Sequence, residues 1–384
     1  MKKTLITGLS AAALVLAVST SLFANGTPAP ETTAEGVEIS GNVTVLAGYQ
    51  HDDRDAGAAG NTNLGGLGDG VLGGTIANAD HFRMVVDQVE IDLQKSFGEN
   101  IRLRADIDFF DYANTNWRAA DAVDLEQAYI TANIAAGNGI EFLFGKFNAP
   151  VGVDSVDRGE NWLISYSPNF RWFTPTNVTG AKIYYQFSDT VDLHLAVVND
   201  LNANGFNDSA IPSGLFRLGF NWGDDGNEST IGISGGAGPE ATNHNAHWDF
   251  FGDIDAMIAL TDTVTLAGEA TYRQSNTTIP GGYNQKALAA FLALNWQATD
   301  VVDLTFRGAW EWDPNPVTGS GASTTGGNWN GGFEGQLYSG TVGLGYQITD
   351  GAKMKMEYRF DFANVTNLNN SDYHSIMAEF AYTF

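Results

Sequence analysis

The sequence predicts an all-β chain, a transmembrane antiparallel β-barrel of about 16 strands (roughly 14–18), with short periplasmic turns and long extracellular loops. Three observations predict it. Apolar and polar residues alternate through segment after segment. The connections alternate between tight and long. No stretch after residue 24 approaches the roughly 18 consecutive apolar residues that a membrane helix needs.

Composition sets the bounds. The 384 residues include 45 Gly, 23 Phe, 13 Tyr and 9 Trp, and only 17% are charged. That balance favours strands, and an aromatic share of 12% argues against disorder. The 45 acidic residues against 19 basic ones make nucleic acid a poor partner. There is no cysteine, so neither a disulfide framework nor a lipid-anchoring Cys is present.

At the N-terminus Lys2 and Lys3 precede the apolar run Leu5 to Phe23, which ends on the small residue Ala24. This is the pattern of a secretory signal peptide over 1–24, although Leu22 is bulky for its place before the cut. A Pro/Thr/Ala/Glu linker follows over 25–36, and the barrel is expected over 37–384.

The clearest alternation lies late in the chain. Met354, Met356, Tyr358, Phe360 and Phe362 share one face, and Lys353, Lys355, Glu357, Arg359 and Asp361 the other. On a helix that period would put charge all round. Val302, Leu304, Phe306, Trp310 and Trp312 oppose Asp303, Thr305, Arg307 and Glu311 in the same way. Strands are expected over 37–49, 82–97, 101–112, 124–134, 139–147, 179–188, 191–199, 214–223, 229–237, 248–260, 264–273, 285–297, 301–312, 335–348, 352–363 and 373–384. Their alternation is imperfect around 82–88 and 124–134. Most reach the length of a tilted strand crossing a bilayer.

One set of connections is tight and carries turn-forming residues, as in Gly98-Glu99-Asn100 and Thr349-Asp350-Gly351. The other is long: roughly 50–81, 113–123, 148–178, 200–213, 238–247, 274–284, 313–334 and 364–372. Aromatics gather at both ends of the strands. Phe97, Phe187, Trp222, Trp296 and Tyr346 lie near tight turns; Tyr49, Phe109, Trp310, Trp312 and Phe362 lie near long loops. Two interfacial girdles are expected.

The last strand alternates through Ile376, Ala378, Phe380, Tyr382 and the final Phe384. It resembles the assembly signal read by the machinery that inserts outer-membrane barrels. In mid-chain, Phe144-Gly145-Lys146-Phe147-Asn148-Ala149-Pro150-Val151-Gly152 resembles the Gly-Lys-Phe…Pro-x-Gly signature of the OmpL-like β-barrel porin family, a distant relative of the phosphate-selective porins. Tyr166 to Phe173 and Thr179-Gly180 resemble the segment that follows it. The resemblance covers roughly residues 82–190. It implies a passive outer-membrane channel without implying phosphate, since a phosphate filter wants clustered Lys or Arg.

In general porins the third long loop enters the lumen, and the resemblance implies the same for 148–178. Asp154, Asp157 and Glu160 would then line the constriction, with Arg158 and Arg171 opposing or bracing them. A lumen wall is expected from Arg102, Arg104, Asp106, Asp108, Lys182, His194, Arg217, Asp253, Asp255, Glu269, Arg273, Asp303, Arg307, Glu311, Lys353, Lys355, Glu357, Arg359 and Asp361. Charges of both signs at this density belong beside water, because unpaired ions in a dry core are costly. About sixteen strands leave an aqueous lumen, whereas eight are filled by side chains. The acid excess predicts a weak cation preference.

Asp200, Asn202, Asn204 and Asp208 follow the oxygen-ligand spacing of a calcium loop, but Ile211 stands where the closing Glu belongs. No nucleophile motif accompanies His81, His244, His247 or His374, so no enzyme is expected. Expected partners are small hydrophilic solutes, outer-membrane lipid and lipopolysaccharide, reached by divalent-cation bridging from the acidic loops, together with the insertion machinery and further copies in a homotrimer. The rival reading is a structural or adhesion barrel, or a sleeve around a partner protein, with no open channel.

Overall fold

The computed structural model of the protein describes residues 36–52, 79–109, 123–201, 211–224, 227–239, 247–277, 284–313, 335–365 and 371–384. The expected signal peptide and nearly all of the linker lie outside the described residues, as do most residues of the first long loop.

Sixteen strands run in chain order: β1 Glu38–Asp52, β2 Ala79–Phe97, β3 Ile101–Phe109, β4 Val123–Ile134, β5 Ile140–Asn148, β6 Asn177–Ser188, β7 Val191–Val198 and β8 Ser213–Trp222, followed by β9 Ser229–Pro239, β10 His247–Thr261, β11 Val264–Thr277, β12 Asn284–Thr299, β13 Val302–Asp313, β14 Gly335–Gln347, β15 Ala352–Val365 and β16 Ser371–Thr383. Each pairs antiparallel with its neighbours in sequence. β16 returns to β1, with Asn42 opposite Thr383, and the sheet closes into a barrel. Closure leaves no strand edge unpaired, the condition for a sheet to sit in lipid. No helix among the described residues is long and apolar enough to cross a membrane.

Alternation sorts the residues between two faces. On β15, Met354, Met356 and Tyr358 are exposed, while Lys355, Glu357, Arg359 and Asp361 are buried on the inside. On β14, Tyr338, Val342, Leu344 and Tyr346 point out and Ser339 and Thr341 point in. The aromatics at the turn side, Phe97, Phe187, Trp222, Trp296 and Tyr346, are all exposed. An apolar outside with a charged inside inverts a soluble protein and matches a barrel in a bilayer.

Register shifts occur beside the tight turns after β6, β10 and β12, and two more lie within the wall itself. β1 pairs Thr44 with Gln88 and Val45 with Val86, so Asp87 is an extra residue in β2. β3 pairs Asp106 with Gln127 and Ile107 with Leu125, so Glu126 is extra in β4. These β-bulges lie where the sequence alternation is imperfect. A bulge re-aims a side chain, and here each turns an acidic residue toward the inside, with Asp87 meeting Arg158 and Glu126 meeting Asn148.

One more packing device recurs inside. Arg217 on β8 crosses β9 to Asp255 on β10, with Nη2 2.7 Å from Oδ1. It lies over Gly232, where a Cβ would stand 2.1 Å from the guanidinium. Only glycine allows that crossing.

Candidate functional site

The segment between β5 and β6 packs against the inside of the wall. Its base is zipped by Ala149 N–H donating to Thr176 O at 2.7 Å. Two glycines of the Gly-Lys-Phe…Pro-x-Gly signature set its path. Gly145 has φ +143°, and a Cβ on it would stand 2.1 Å from Ala128 O across the ladder. Gly152 has φ +84°, a left-handed conformation that glycine adopts freely. The turn at Gly152 delivers Val153 N–H to Glu269 Oε2 at 2.8 Å.

Apolar patches on the inner wall receive the segment. Val151 joins Leu143, Phe147, Val178, Val198, Leu215 and Phe251. Val153 and Trp162 pack on Met257, Ala267, Phe291, Ala293 and Ala309. Ile164 sits with Leu46, Val85 and Met377, and Phe173 with Ala287 and Ala289. The segment thus touches widely separated strands of the barrel.

Wall cations hold its backbone. Arg307 Nη2 donates to Ser165 Oγ at 2.9 Å and to Tyr166 O at 3.2 Å. Arg359 Nη1 donates to the same carbonyl at 3.2 Å. Arg273 donates to Phe173 O at 3.1 Å and Lys355 Nζ to Arg158 O at 3.0 Å. Glu357 Oε2 accepts from Ile164 N and Ser165 N at 2.6 and 3.0 Å. Charge-assisted hydrogen bonds of this kind are the strong ones.

The expected constriction residues fall into two groups. Ser155 and Asn161 exchange backbone and side-chain hydrogen bonds of 2.8 and 2.9 Å, closing a turn that carries Asp157, Arg158 and Glu160. Arg158 is 1% exposed. Its Nε reaches Asp87 Oδ2 at 2.7 Å, and its guanidinium stacks 4.4 Å from the Tyr166 ring. Asp157 accepts from Gln88 Nε2 at 2.9 Å, and Glu160 from Ser155 Oγ at 2.7 Å. Burial first, and then the neighbouring Asp157, push the Glu160 carboxyl up to about 8. Asp154 caps Ser167 N at 2.7 Å. Arg171 belongs to the returning limb, in the short π-helical turn Asn169–Phe173, over the Trp172 ring at 4.5 Å.

The expected wall residues lie on the inner face, and several pair there. Arg104 binds Asp106 at 2.8 Å, Arg359 binds Asp361 at 2.8 Å, and Lys353 binds Asp303 at 2.7 Å. His194 and Lys182 are buried on the same face. Sequence reasoning misses Asp87, Gln88, Glu90, Asp92 and Glu126, which β2 and β4 bring to the loop turn. Glu90, Asp108 and Glu126 each place a carboxylate oxygen within 4.8 Å of the others; Glu90, Asp92 and Asp106 do the same. Both bulged strands carry runs of acids, and that was the available signal. Of the calcium-spaced set, Asp200 is described; Asn202, Asn204 and Asp208 lie outside the described residues.

Comparison with known proteins places this architecture. The sequence matches the model of the beta-barrel porin-2, OmpL-like family over residues 36–384. The chain belongs to that family. This porin is accordingly a protein of the outer membrane. No curated protein matches the porin's sequence. Similar solved structures include the outer membrane channel DcaP of Acinetobacter baumannii, 11% identical with a TM-score of 0.62, covering 91% of this chain and 97% of that one. The anion-selective porin from Comamonas acidovorans is 10% identical with a TM-score of 0.61, covering 91% and 99%. The trimer form of OmpT from Vibrio cholerae is 9% identical with a TM-score of 0.55, covering 91% and 100%. At such identities the likeness is one of fold.

Proposed function

We propose that this porin passes small hydrophilic solutes and ions by passive diffusion, with a weak preference for cations, and that residues 148–178 form its constriction. The observation that carries the reading is that wall cations are engaged by the loop, while acids outnumber cations around the loop turn. Arg273, Arg307, Lys355 and Arg359 each commit a donor to the loop. β2–β4 and the loop turn gather Asp87, Glu90, Asp92, Asp106, Asp108, Glu126, Asp157 and Glu160 around Arg104 and Arg158. A lumen lined by one sign of charge concentrates the opposite ion.

The test is a planar bilayer with the purified protein under a potassium chloride gradient. Discrete conductance steps and a reversal potential favouring potassium are expected. Neutralising Asp154, Asp157 and Glu160 together should move that potential toward zero. Folded protein that inserts without any step would return the molecule to the reading of a structural or adhesion barrel, or a partner's sleeve.

The remaining partners follow from the same reading. The outward Phe380, Tyr382 and Phe384 present the insertion signal, the acidic long loops bridge to lipopolysaccharide through divalent cations, and three copies associate. Catalysis forms no part of it.

A further inference from the structure

We propose that Glu90, Asp108 and Glu126, joined by Asp157 from the loop, form a binding site for one hard divalent cation of the calcium class, which ties the loop turn to the β2–β4 wall. The three wall carboxylates are buried, and one oxygen of each lies within 4.8 Å of the others. Calcium binds carboxylate oxygens at about 2.3–2.6 Å, so ligands on opposite sides of the ion stand roughly 5 Å apart. The wall oxygens already fall within that span. Magnesium requires shorter bonds and a near-octahedral set, which carboxylates spread over three strands and a loop suit less well.

An independent observation points to a cation. Glu126 is 2% exposed, and its Oε2 accepts no hydrogen bond among the described residues. Its other oxygen takes Asn148 Nδ2 at 3.1 Å. A buried carboxylate oxygen calls for a donor or a positive charge. Glu126 is also the extra residue of the β4 bulge, so a specific backbone irregularity aims this side chain inward.

Asn42 Nδ2 donates to Glu90 Oε2, and the Gln88 amide serves the acids together. Gln88 Nε2 lies 3.2 Å from Glu90 Oε2, 3.1 Å from Asp108 Oδ1 and 2.9 Å from Asp157 Oδ1. An amide nitrogen carries two hydrogens, so one group is shared among three carboxylates. Arg104 is engaged by Asp106. A divalent ion adds positive charge among these acids, which neutral amides do not carry. It also adds an anchor on a side of the lumen where Arg158 with Asp87 is the loop's ion pair to the wall among the described residues.

The experiment uses the full-length protein in detergent, stripped with EDTA, dialysed and titrated with calcium chloride in a calorimeter. One saturable event per chain is expected. Affinity should fall about tenfold or more in Glu90→Gln and in Glu126→Gln, as for lost or misplaced metal ligands. Asp253→Asn, on β10 across the barrel, should leave it unchanged. Asp157→Asn alters the loop and no strand; it should weaken calcium binding too, and it serves where a wall variant does not fold. The stripped protein also goes into the bilayer. Conductance steps without any calcium isotherm overturn the cation site and leave the porin reading standing. A calcium isotherm without steps supports the site and defeats the porin reading. Equal affinity in the wild type and in the Glu90→Gln/Glu126→Gln variant overturns the assignment to these residues.

Discussion

Gly152 holds φ +84°, and a Cβ on it would stand 3.0 Å from a Glu269 carboxylate oxygen. Gly152→Ala therefore meets two penalties, a left-handed backbone worth about 1–2 kcal/mol and a collision with the acceptor of Val153 N–H. The barrel should still form, while the loop should become cleavable by added protease where the parent resists. Glu160 makes a second prediction at this scale. Its carboxyl is pushed up to about 8, by burial first. An acid raised in the folded protein stabilises its packed position while protonated. That contribution is whole below the usual carboxylate range, declines as pH rises and is gone above about 8. Between pH 6 and 9 the turn gains a negative charge, so the reversal potential should move further toward potassium, with a midpoint near 8. Glu160→Gln should flatten that change; an unaltered pH curve in the variant would remove Glu160 from the pathway.

Elements show both how much the sequence discloses and where it stops. A strand between lipid and water carries its instruction in every second residue, so β10 to β16 are legible nearly to their ends. Met354, Lys355, Met356 and Glu357 can be assigned to faces without any partner strand. β2 and β4 are legible as strands but not in register. One extra residue in each, Asp87 and Glu126, inverts the assignment of all that follows. The acids of the loop are legible as residue types. Their partners are not, because Gln88 lies 69 residues from Asp157 and Glu357 lies 193 from Ile164. Arg171 stands on the returning limb, in the turn Asn169–Phe173. At this scale the shared clamp on Tyr166 O can be tested. Arg307→Ala with Arg359→Ala removes two charged donors, each worth about 1.5–3 kcal/mol. Larger and noisier single-channel conductance is expected, and a quiet channel of parental size would show that the clamp does not hold the loop.

For the whole molecule, net charge of −26 acts through two routes that salt can separate. Charges in outer loops act across solution and are screened, with a Debye length of about 10 Å at 0.1 M falling to about 3 Å at 1 M. Buried acids beside the passage are screened much less. If β2–β4 and the loop turn set selectivity, most of the potassium preference should survive from 0.1 to 1 M potassium chloride. A preference that vanishes over that range would belong to the outer loops.

Ala287, Ala289, Phe291 and Ala293 make one strand, β12, apolar on the side that faces inward. Apolar positions continue on its neighbours at Ala267 and Ala309. With the loop seated this stripe is buried. A barrel engineered without residues 148–178 would not be the same pore with a wider bore. It would present water with a band of wall that water does not wet, and hydrophobic constrictions close channels by dewetting. The loop is in this sense part of the wall's surface chemistry, and wetting as well as width changes when it is removed.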